Sequence, residues 1–439
     1  MSSQINVVGA GLVGSLLGLR LRQKGFDVRL YERRSDPRKV KRAEGRSINL
    51  ALSHRGIGPL KAAGVYDQVA PYLIPMKGRM MHSKSADLTV QPYGKEGQHI
   101  NSVPRSQLNK VLLEAAEQQN VEVFFEHQST EVDLDMANVH FSNGNSASGD
   151  VLIGTDGAFS SVRKSMQLTD RFNFSQQYIE HGYKELHIAA INESFALDPN
   201  YLHIWPRGNF MLIALPNFDK TFTCTLFFPY EGDVSFASLR DEAQISDFFS
   251  KYFPDIPPLI PDLIHQFQNN PTASLITTKC DPWHRGKTII LGDAAHAIVP
   301  FYGQGMNSGF EDVRIFGEVG ESVNWNWNEL LPTYSKKRKR DADAISELAL
   351  MNFVEMRDHV ADPKFLRQKK LEAAIHDRFP KDWLPLYSMV TFSDMPYSEA
   401  LRLGKIQGKI MQEVLEEGKD LIPEAMDFRE IVERYKARK

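Results

Sequence analysis

Ile5-Asn6-Val7-Val8-Gly9-Ala10-Gly11-Leu12-Val13-Gly14 is a short β-rich run that ends in three spaced glycines. Behind it Leu12, Leu16, Leu17 and Leu21 fall at helical spacing, a turn at Gly25 follows, and Val28-Arg29-Leu30-Tyr31 reads as a second strand closed by Glu32. Gly9 permits a tight strand-to-helix turn, and Gly11 lets backbone approach a pyrophosphate. Gly14 lets the helix pack closely on the strand, and the helix N-terminus, beginning at Leu12 and Val13, supplies N–H donors and positive dipole to phosphate. Glu32 stands where a carboxylate accepts both ribose hydroxyls of an adenosine half, and an acid there disfavours a 2′-phosphate. FAD or NAD therefore fits better than NADP, and this segment alone does not decide between the two.

Two later segments decide for flavin. Val151-Leu152-Ile153-Gly154 reads as a buried strand entering the turn Thr155-Asp156-Gly157, with a helix from Ser160. Thr288-Ile289-Ile290-Leu291 is another buried strand, ending at Gly292-Asp293-Ala294-Ala295-His296, where Asp293 can hydrogen-bond a ribityl chain. Pro300-Phe301-Tyr302-Gly303-Gln304-Gly305-Met306-Asn307 then opens a long helix. Its N-terminus, through Gly305, Met306 and Asn307, would aim dipole and N–H groups at a flavin pyrimidine edge and stabilise the charge of reduced flavin. Either segment in isolation reads as an ordinary Asp-containing turn. The ordered triple is what a simple dehydrogenase has no use for.

The bulk numbers bound the rest. At 439 residues the chain is long enough for one large or two ordinary domains, and a net charge of −3 favours no polyanionic partner. Cys224 and Cys280 are too far apart for a local metal or redox motif; two reduced core thiols are expected, a long-range disulfide being the alternative. No residue cluster suggests a metal. Met1-Ser2-Ser3-Gln4 has neither a basic nor an apolar leader region, and no stretch approaches the roughly 20 apolar residues of a membrane-spanning helix, so a soluble, cytoplasmic protein is expected. The run from Glu413 to Lys439 reads as charged helix. Lys336-Lys337-Arg338-Lys339-Arg340 looks like a nucleic-acid or localisation patch, but it lies in a helical pattern, so a solvated helix face is expected and no nucleic acid.

The three glycine segments resemble the dinucleotide, Asp-Gly and Gly-Asp motifs of the class A flavoprotein hydroxylases, the para-hydroxybenzoate hydroxylase-like group. The resemblance implies an α/β FAD-binding fold, with a sheet domain covering the substrate and C-terminal helices. Longer runs narrow it to the branch of that group acting on L-kynurenine: Gly45–Ser53, Pro75–Met80, Tyr201–Arg207, Phe210–Asn217 and Pro385–Ser393. It covers the chain from near residue 5 to about residue 410. Eukaryotic members carry a C-terminal membrane anchor, and the soluble bacterial form is the nearer likeness. The domains expected are FAD-binding over 1–170 and 281–340, a substrate-binding sheet over 171–280, and a helical region over 341–439 that covers the pocket.

Carried over residue by residue, the resemblance places a substrate-carboxylate clamp on Arg79, Tyr93, Asn352 and Tyr387. An arginine fork holds a carboxylate bidentately while tyrosine hydroxyls and an amide complete the hydrogen bonds. By the same matching, Leu202, Met211, Phe227 and Phe301 wall an aniline ring, and Ala51 and Arg105 join Gly9, Gly11, Val13, Gly14, Glu32, Asp156, Asp293, Gly305, Met306 and Asn307 around FAD. Without the resemblance, the other reading of Arg79 is a surface ion pair, and Tyr387 reads first as a core tyrosine with a satisfied hydroxyl. Arg46 either approaches the cofactor or caps a local turn, and Tyr302 departs from the His or Phe frequent at that position.

The activity implied is a monooxygenase of tryptophan degradation and pyridine-nucleotide biosynthesis, using NADPH as transient co-substrate and O2 through a C4a-hydroperoxyflavin. The aniline nitrogen already activates the ring, so no side chain is assigned as catalytic acid or base; the flavin performs the chemistry. The alternatives are a related FAD hydroxylase for another aromatic acid and a flavin-binding sensor without turnover. Oligomeric state and the choice of NADPH over NADH are not readable, since the fold has no separate nicotinamide fingerprint.

Overall fold

The computed structural model describes residues 3–39, 49–356, 363–416 and 428–439. Arg46, with Gly45, Ser47 and Ile48, lies outside the described residues, as does part of the charged C-terminal run.

Six strands make the first sheet, in the order His284–Arg285, Thr288–Ile290, Val151–Gly154, Gln4–Val8, Asp27–Tyr31 and Glu122–Phe124. Neighbours run parallel except at the short edge strand His284–Arg285. Ile5, Val7, Leu152, Ile153 and Ile289 are fully buried, as a sheet covered on both faces requires, and so these strands read as continuous apolar runs. Helices Leu12–Gln23, Arg105–Gln118 and Gly305–Ser322 share one apolar core with this sheet. Register does the decisive work. Val8 pairs with Gly154, and Gly154 with Ile290, so three adjacent parallel strands end side by side and release the three glycine segments at one edge.

The second sheet has seven strands, in the order Thr272–Asp281, Asn173–Ile188, Phe222–Pro229, Met211–Pro216, Tyr201–Pro206, Gly78–His82 and Leu88–Pro92. The last two come from the first 170 residues of the chain. Side chains alternate between its faces, as the two-residue strand period dictates. Leu202, Ile204, Met211, Ile213 and Phe227 face a core shared with the C-terminal helices. Trp205, Leu212, Ala214, Leu226 and Phe228 face a second core with Phe248 and Phe249 of helix Glu242–Tyr252. On that second face His82 bonds Asp255 at 2.9 Å through Nδ1 and His203 at 2.9 Å through Nε2, tying two neighbouring strands together.

Helix Trp327–Val354 runs unbroken through residue 340, where a change of domain is expected. It also corrects the reading of the basic run. Lys336, Lys337 and Arg340 are exposed, but Arg338 is fully buried against Glu311 and Asp312 of helix Gly305–Ser322. The two cysteines are buried free thiols, as the first reading expects. Among the described residues no helix is long and apolar enough to cross a membrane.

Candidate active site

The glycine segments meet in van der Waals contact. A Cβ on Gly14 would sit 1.9 Å from the Gly9 carbonyl oxygen, and one on Gly9 would sit 2.6 Å from that of Thr155. Val13 closes the other side: its methyls lie 3.2 Å from where a Cβ on Gly292 would be and 2.6 Å from one on Gly309. Gly9 and Gly292 also take positive φ, of 104° and 60°, which L side chains rarely adopt. Gly11 is different. A Cβ there would meet nothing within 4 Å, although the residue heads helix Leu12–Gln23 with no side-chain cap on the free N–H groups. An uncapped, open helix end of this kind is able to cradle a phosphate.

Around it stand the groups that a dinucleotide needs. Glu32 uses its two carboxylate oxygens on the Ala10 and Arg34 N–H groups, each at 3.1 Å, which fixes it beside the glycine turn with lone pairs to spare. Asp156 accepts from the N–H and hydroxyl of Ser161 through Oδ2, at 2.7 and 2.9 Å, holding the start of helix Ser161–Gln167. Its Oδ1 is buried without a hydrogen-bond partner. Asp293 is exposed at the head of the short helix Asp293–His296. Arg105 is exposed at the first turn of helix Arg105–Gln118, where a cation opposes the helix dipole and an anionic ligand would relieve it.

Helix Gly305–Ser322 follows a 3-10 turn, Pro300–Tyr302, and Gly303 at φ 65°. Met306 is half-buried. Asn307 is fully buried: its Oδ1 accepts from the Ser53 N–H at 2.9 Å, and its Nδ2 donates to the carbonyls of Ala51 and Gly303 at 2.8 and 2.7 Å. It therefore fastens strand Asn49–Leu52, with half-buried Ala51, to the turn before this helix. The free helix end, the open Gly11 cradle, Glu32 and the unpaired Asp156 oxygen fit the phosphate, ribose and isoalloxazine parts of FAD.

A second set of residues converges beyond Ala51. Strand register sets Leu202 beside Arg79, and Ala51, Leu202, Tyr93 and Tyr387 share one apolar cluster. The Tyr93 and Tyr387 rings stack at 5.3 Å and 9°, and Tyr302 also stacks on Tyr387 at 5.7 Å and 14°. The Arg79 guanidinium lies 5.7 Å from the Tyr93 ring centre and 5.2 Å from that of Tyr387. Arg79 Nε and the Tyr93 hydroxyl are both buried without a partner in hydrogen-bond geometry. Burial would lower the Arg79 pKa, but Tyr387, Tyr93 and Glu355 hold it above its ordinary value. Burial raises both tyrosines, which keeps their hydroxyl protons available for donation.

Asn352 reaches the same region from helix Trp327–Val354, but its Nδ2 is engaged on the Phe301 carbonyl at 2.7 Å. The apolar wall assembles as a unit. Phe301 lies 4.8 Å from Phe227 and stacks on Phe353 at 4.2 Å, while Met211 pairs with Phe227 across the sheet. A cavity of about 380 Å3 opens at Tyr302, Asn352 and Tyr387, bordered further by Leu348, Glu355 and Lys369. Those last three were not among the residues expected at the pocket. Lys369 lies in helix Pro363–Arg378, 3.7 Å from Glu355 and 3.4 Å from Glu372, and nothing in the local sequence marks it. Among the described residues no group of three His, Cys, Asp or Glu side chains could hold a metal ion.

Comparison with known proteins bears on both halves of this site. A family model described as an FAD binding domain matches residues 2–349. The chain is 48% identical to a kynurenine 3-monooxygenase of Flavobacterium johnsoniae, over 94% of each chain. It is 43% identical to that of Dictyostelium discoideum, over 98% of this chain and 96% of the relative, and 44% identical to that of Sus scrofa, over 94% and 89%. Among solved structures it is similar to 2-methyl-3-hydroxypyridine-5-carboxylic acid oxygenase in its tetrameric form, at a TM-score of 0.69, 21% identity, and coverage of 87% of this chain and 98% of that one. Klebsiella pneumoniae HpxO complexed with FAD and uric acid gives a TM-score of 0.67 at 21% identity, covering 84% and 92%. These two likenesses speak for the fold alone.

Proposed function

We infer the reaction from one premise: the chain belongs to the FAD-binding-domain family and, within it, to the kynurenine 3-monooxygenases. It is an FAD-dependent monooxygenase. Its substrate is L-kynurenine, its product the 3-hydroxy derivative, and its reductant NADPH. The observation that supports the substrate most directly is that two unsatisfied donors, Arg79 Nε and the Tyr93 hydroxyl, are buried beside Tyr387, whose ring stacks on Tyr93 and borders the cavity. An α-carboxylate supplies acceptors for both, and a charge-assisted fork of this kind is stronger than a neutral hydrogen bond.

Bound FAD supplies the electron transfer and the activation of O2, chemistry that side chains cannot perform. Gly11 and the N-terminus of helix Leu12–Gln23 would hold the pyrophosphate, Glu32 the adenosine ribose and Asp293 the ribityl chain, and Gly305 to Asn307 would offer a positive helix end to the flavin. Arg105 neutralises phosphate. On the substrate side Arg79 and Tyr93 take the carboxylate, and Tyr387 donates beside them. Leu202, Met211, Phe227 and Phe301 would pack the aniline ring and exclude water from it. Asn352 acts through Phe301, whose carbonyl it fixes, and touches the substrate only through its remaining amide oxygen. The aniline nitrogen donates electron density to its own ortho position, so no protein base is required.

The test is mass analysis of the product when FAD-loaded protein is given L-kynurenine, NADPH and air. A product heavier by one oxygen, identified chromatographically as the 3-hydroxy isomer, is the expected result. Consumption of NADPH with peroxide as the sole product would make kynurenine an effector and overturn the substrate assignment.

A further inference from the structure

The reaction uses none of the four charged side chains buried most completely among the described residues. Asp312 and Glu311 on helix Gly305–Ser322, Arg338 on helix Trp327–Val354 and Arg55 on helix His54–Ala62 are each less than 4% exposed. Two carboxylates face two guanidinium groups, with His296 beside Asp312 and the half-buried Arg314 at 3.1 Å from Glu311 as further partners.

These groups form one unbroken line. At one end Asp312 Oδ2 accepts the Gly292 N–H at 2.9 Å and lies 2.6 Å from His296 Nε2, which fixes both sides of Asp293 in the flavin-facing turn. Asp312 Oδ1 accepts from Arg338 Nε at 2.6 Å. Arg338 Nη2 donates to the Ser308 hydroxyl at 2.9 Å and stands 3.0 Å from Glu311 Oε2. Glu311 Oε1 accepts from Arg55 Nη1 at 2.6 Å. Arg55 ends the line on the C-terminal carbonyls of helix Leu386–Thr391, donating to Val390 at 2.7 Å and to Met389 at 3.3 Å. That helix carries Tyr387. A cross-strut joins the middle: the Tyr397 ring lies 4.0 Å from the Arg55 guanidinium, and its hydroxyl donates at 3.0 Å to Gln304, the residue before the flavin-facing helix.

We propose that the line Asp312–Arg338–Glu311–Arg55 is the link through which substrate at Tyr387 biases the flavin turn at Gly292–Asp293, with Arg338 as its central positioning residue. The proposal rests on the substrate and cofactor reading given above. The physical ground lies in Arg338: displacing it takes a shared guanidinium from buried Asp312 and Glu311 together, leaving Asp312 to His296 and Glu311 to Arg55 and the half-buried Arg314, so the line has few arrangements. Arg338 is the pivot because only a guanidinium reaches Asp312, Ser308 and Glu311 at once; a lysine is a point charge on a flexible stem.

The experiment uses FAD-loaded wild type, Arg338→Lys and the isosteric Glu311→Gln. L-Kynurenine binding is measured by calorimetry, the visible flavin spectrum is titrated with kynurenine, and NADPH oxidation is measured with and without it. In wild type kynurenine is expected to bind, perturb the flavin spectrum and stimulate NADPH oxidation. In the variants kynurenine should bind within about three-fold of wild type, while the stimulation falls on the order of ten-fold and the spectral change fades with it. Glu311→Gln carries the test if Arg338→Lys fails to load FAD. The proposal is overturned if the variants keep full stimulation, if stimulation falls only as much as binding does, or if wild type binds kynurenine with no flavin response. Wild type that binds no kynurenine at all would bring down the substrate assignment instead, and the line's role with it.

Discussion

At the scale of single residues, the glycines sort by what surrounds them, and the sorting separates folding from cofactor binding. Gly14→Ala places a methyl carbon 1.9 Å from the Gly9 carbonyl, so it forces the first helix off the sheet. Such overpacking costs roughly 1–3 kcal/mol, seen as a lower urea midpoint in protein with or without FAD. Gly11→Ala meets nothing in the protein. Its expected result is an unchanged midpoint without FAD and a weaker FAD affinity by fluorescence titration; unchanged FAD affinity would remove Gly11 from the pyrophosphate site. Both glycines were legible in the sequence because a turn and a close approach are local demands. Arg338 was not. Five consecutive cations look solvated, and the acids that bury the middle one, Glu311 and Asp312, lie a helix earlier in the chain.

At the scale of elements, strand ends and helix starts do the positioning, and Asn307 shows how. Read from the sequence it is a cofactor contact at a helix N-terminus; in the structure its amide binds three backbone groups from two other segments. Asn307→Ala leaves those groups buried and unpaired, at roughly 2–3 kcal/mol of stability. The strand holding Ala51 should loosen against the helix, so FAD release is expected to quicken along with the fall in denaturation midpoint. Unchanged stability would mean that the three bonds are made up elsewhere. The same scale explains what was legible of the pocket. Fully buried strands such as Val151–Gly154 announce themselves as apolar runs, whereas the Tyr93–Tyr387 stack joins residues that only tertiary packing brings together.

At the scale of the whole molecule, pH reaches the fold through the far face of the second sheet. His203 is 2% exposed, and burial depresses its pKa to about 4. An unfolded histidine titrates near ~6.5, so as pH falls below that value the unfolded chain gains a proton that the folded chain refuses. Stability contributed by neutral His203 is full above ~6.5 and is lost by about 4, amounting to about 3 kcal/mol. His203→Asn should flatten the fall in urea midpoint between pH 6.5 and 4.5 by about one proton's worth of slope; an unaltered slope would place the titration elsewhere. Asp312 acts lower on the scale: buried, yet held below the ordinary carboxylate range by His296 and Arg338, it gives stability above about pH 4 that is lost as its carboxylate protonates. The order of strands in the first sheet has a consequence for how the protein is made. Val151–Gly154 lies between Gln4–Val8 and Thr288–Ile290, so until the ribosome has passed residue 290 a fully apolar strand stands at a raw edge. From about residue 154 to residue 290 of 439, roughly a third of its synthesis, the nascent chain carries that sticky border, the kind of unpaired apolar edge on which chaperones and neighbouring chains act.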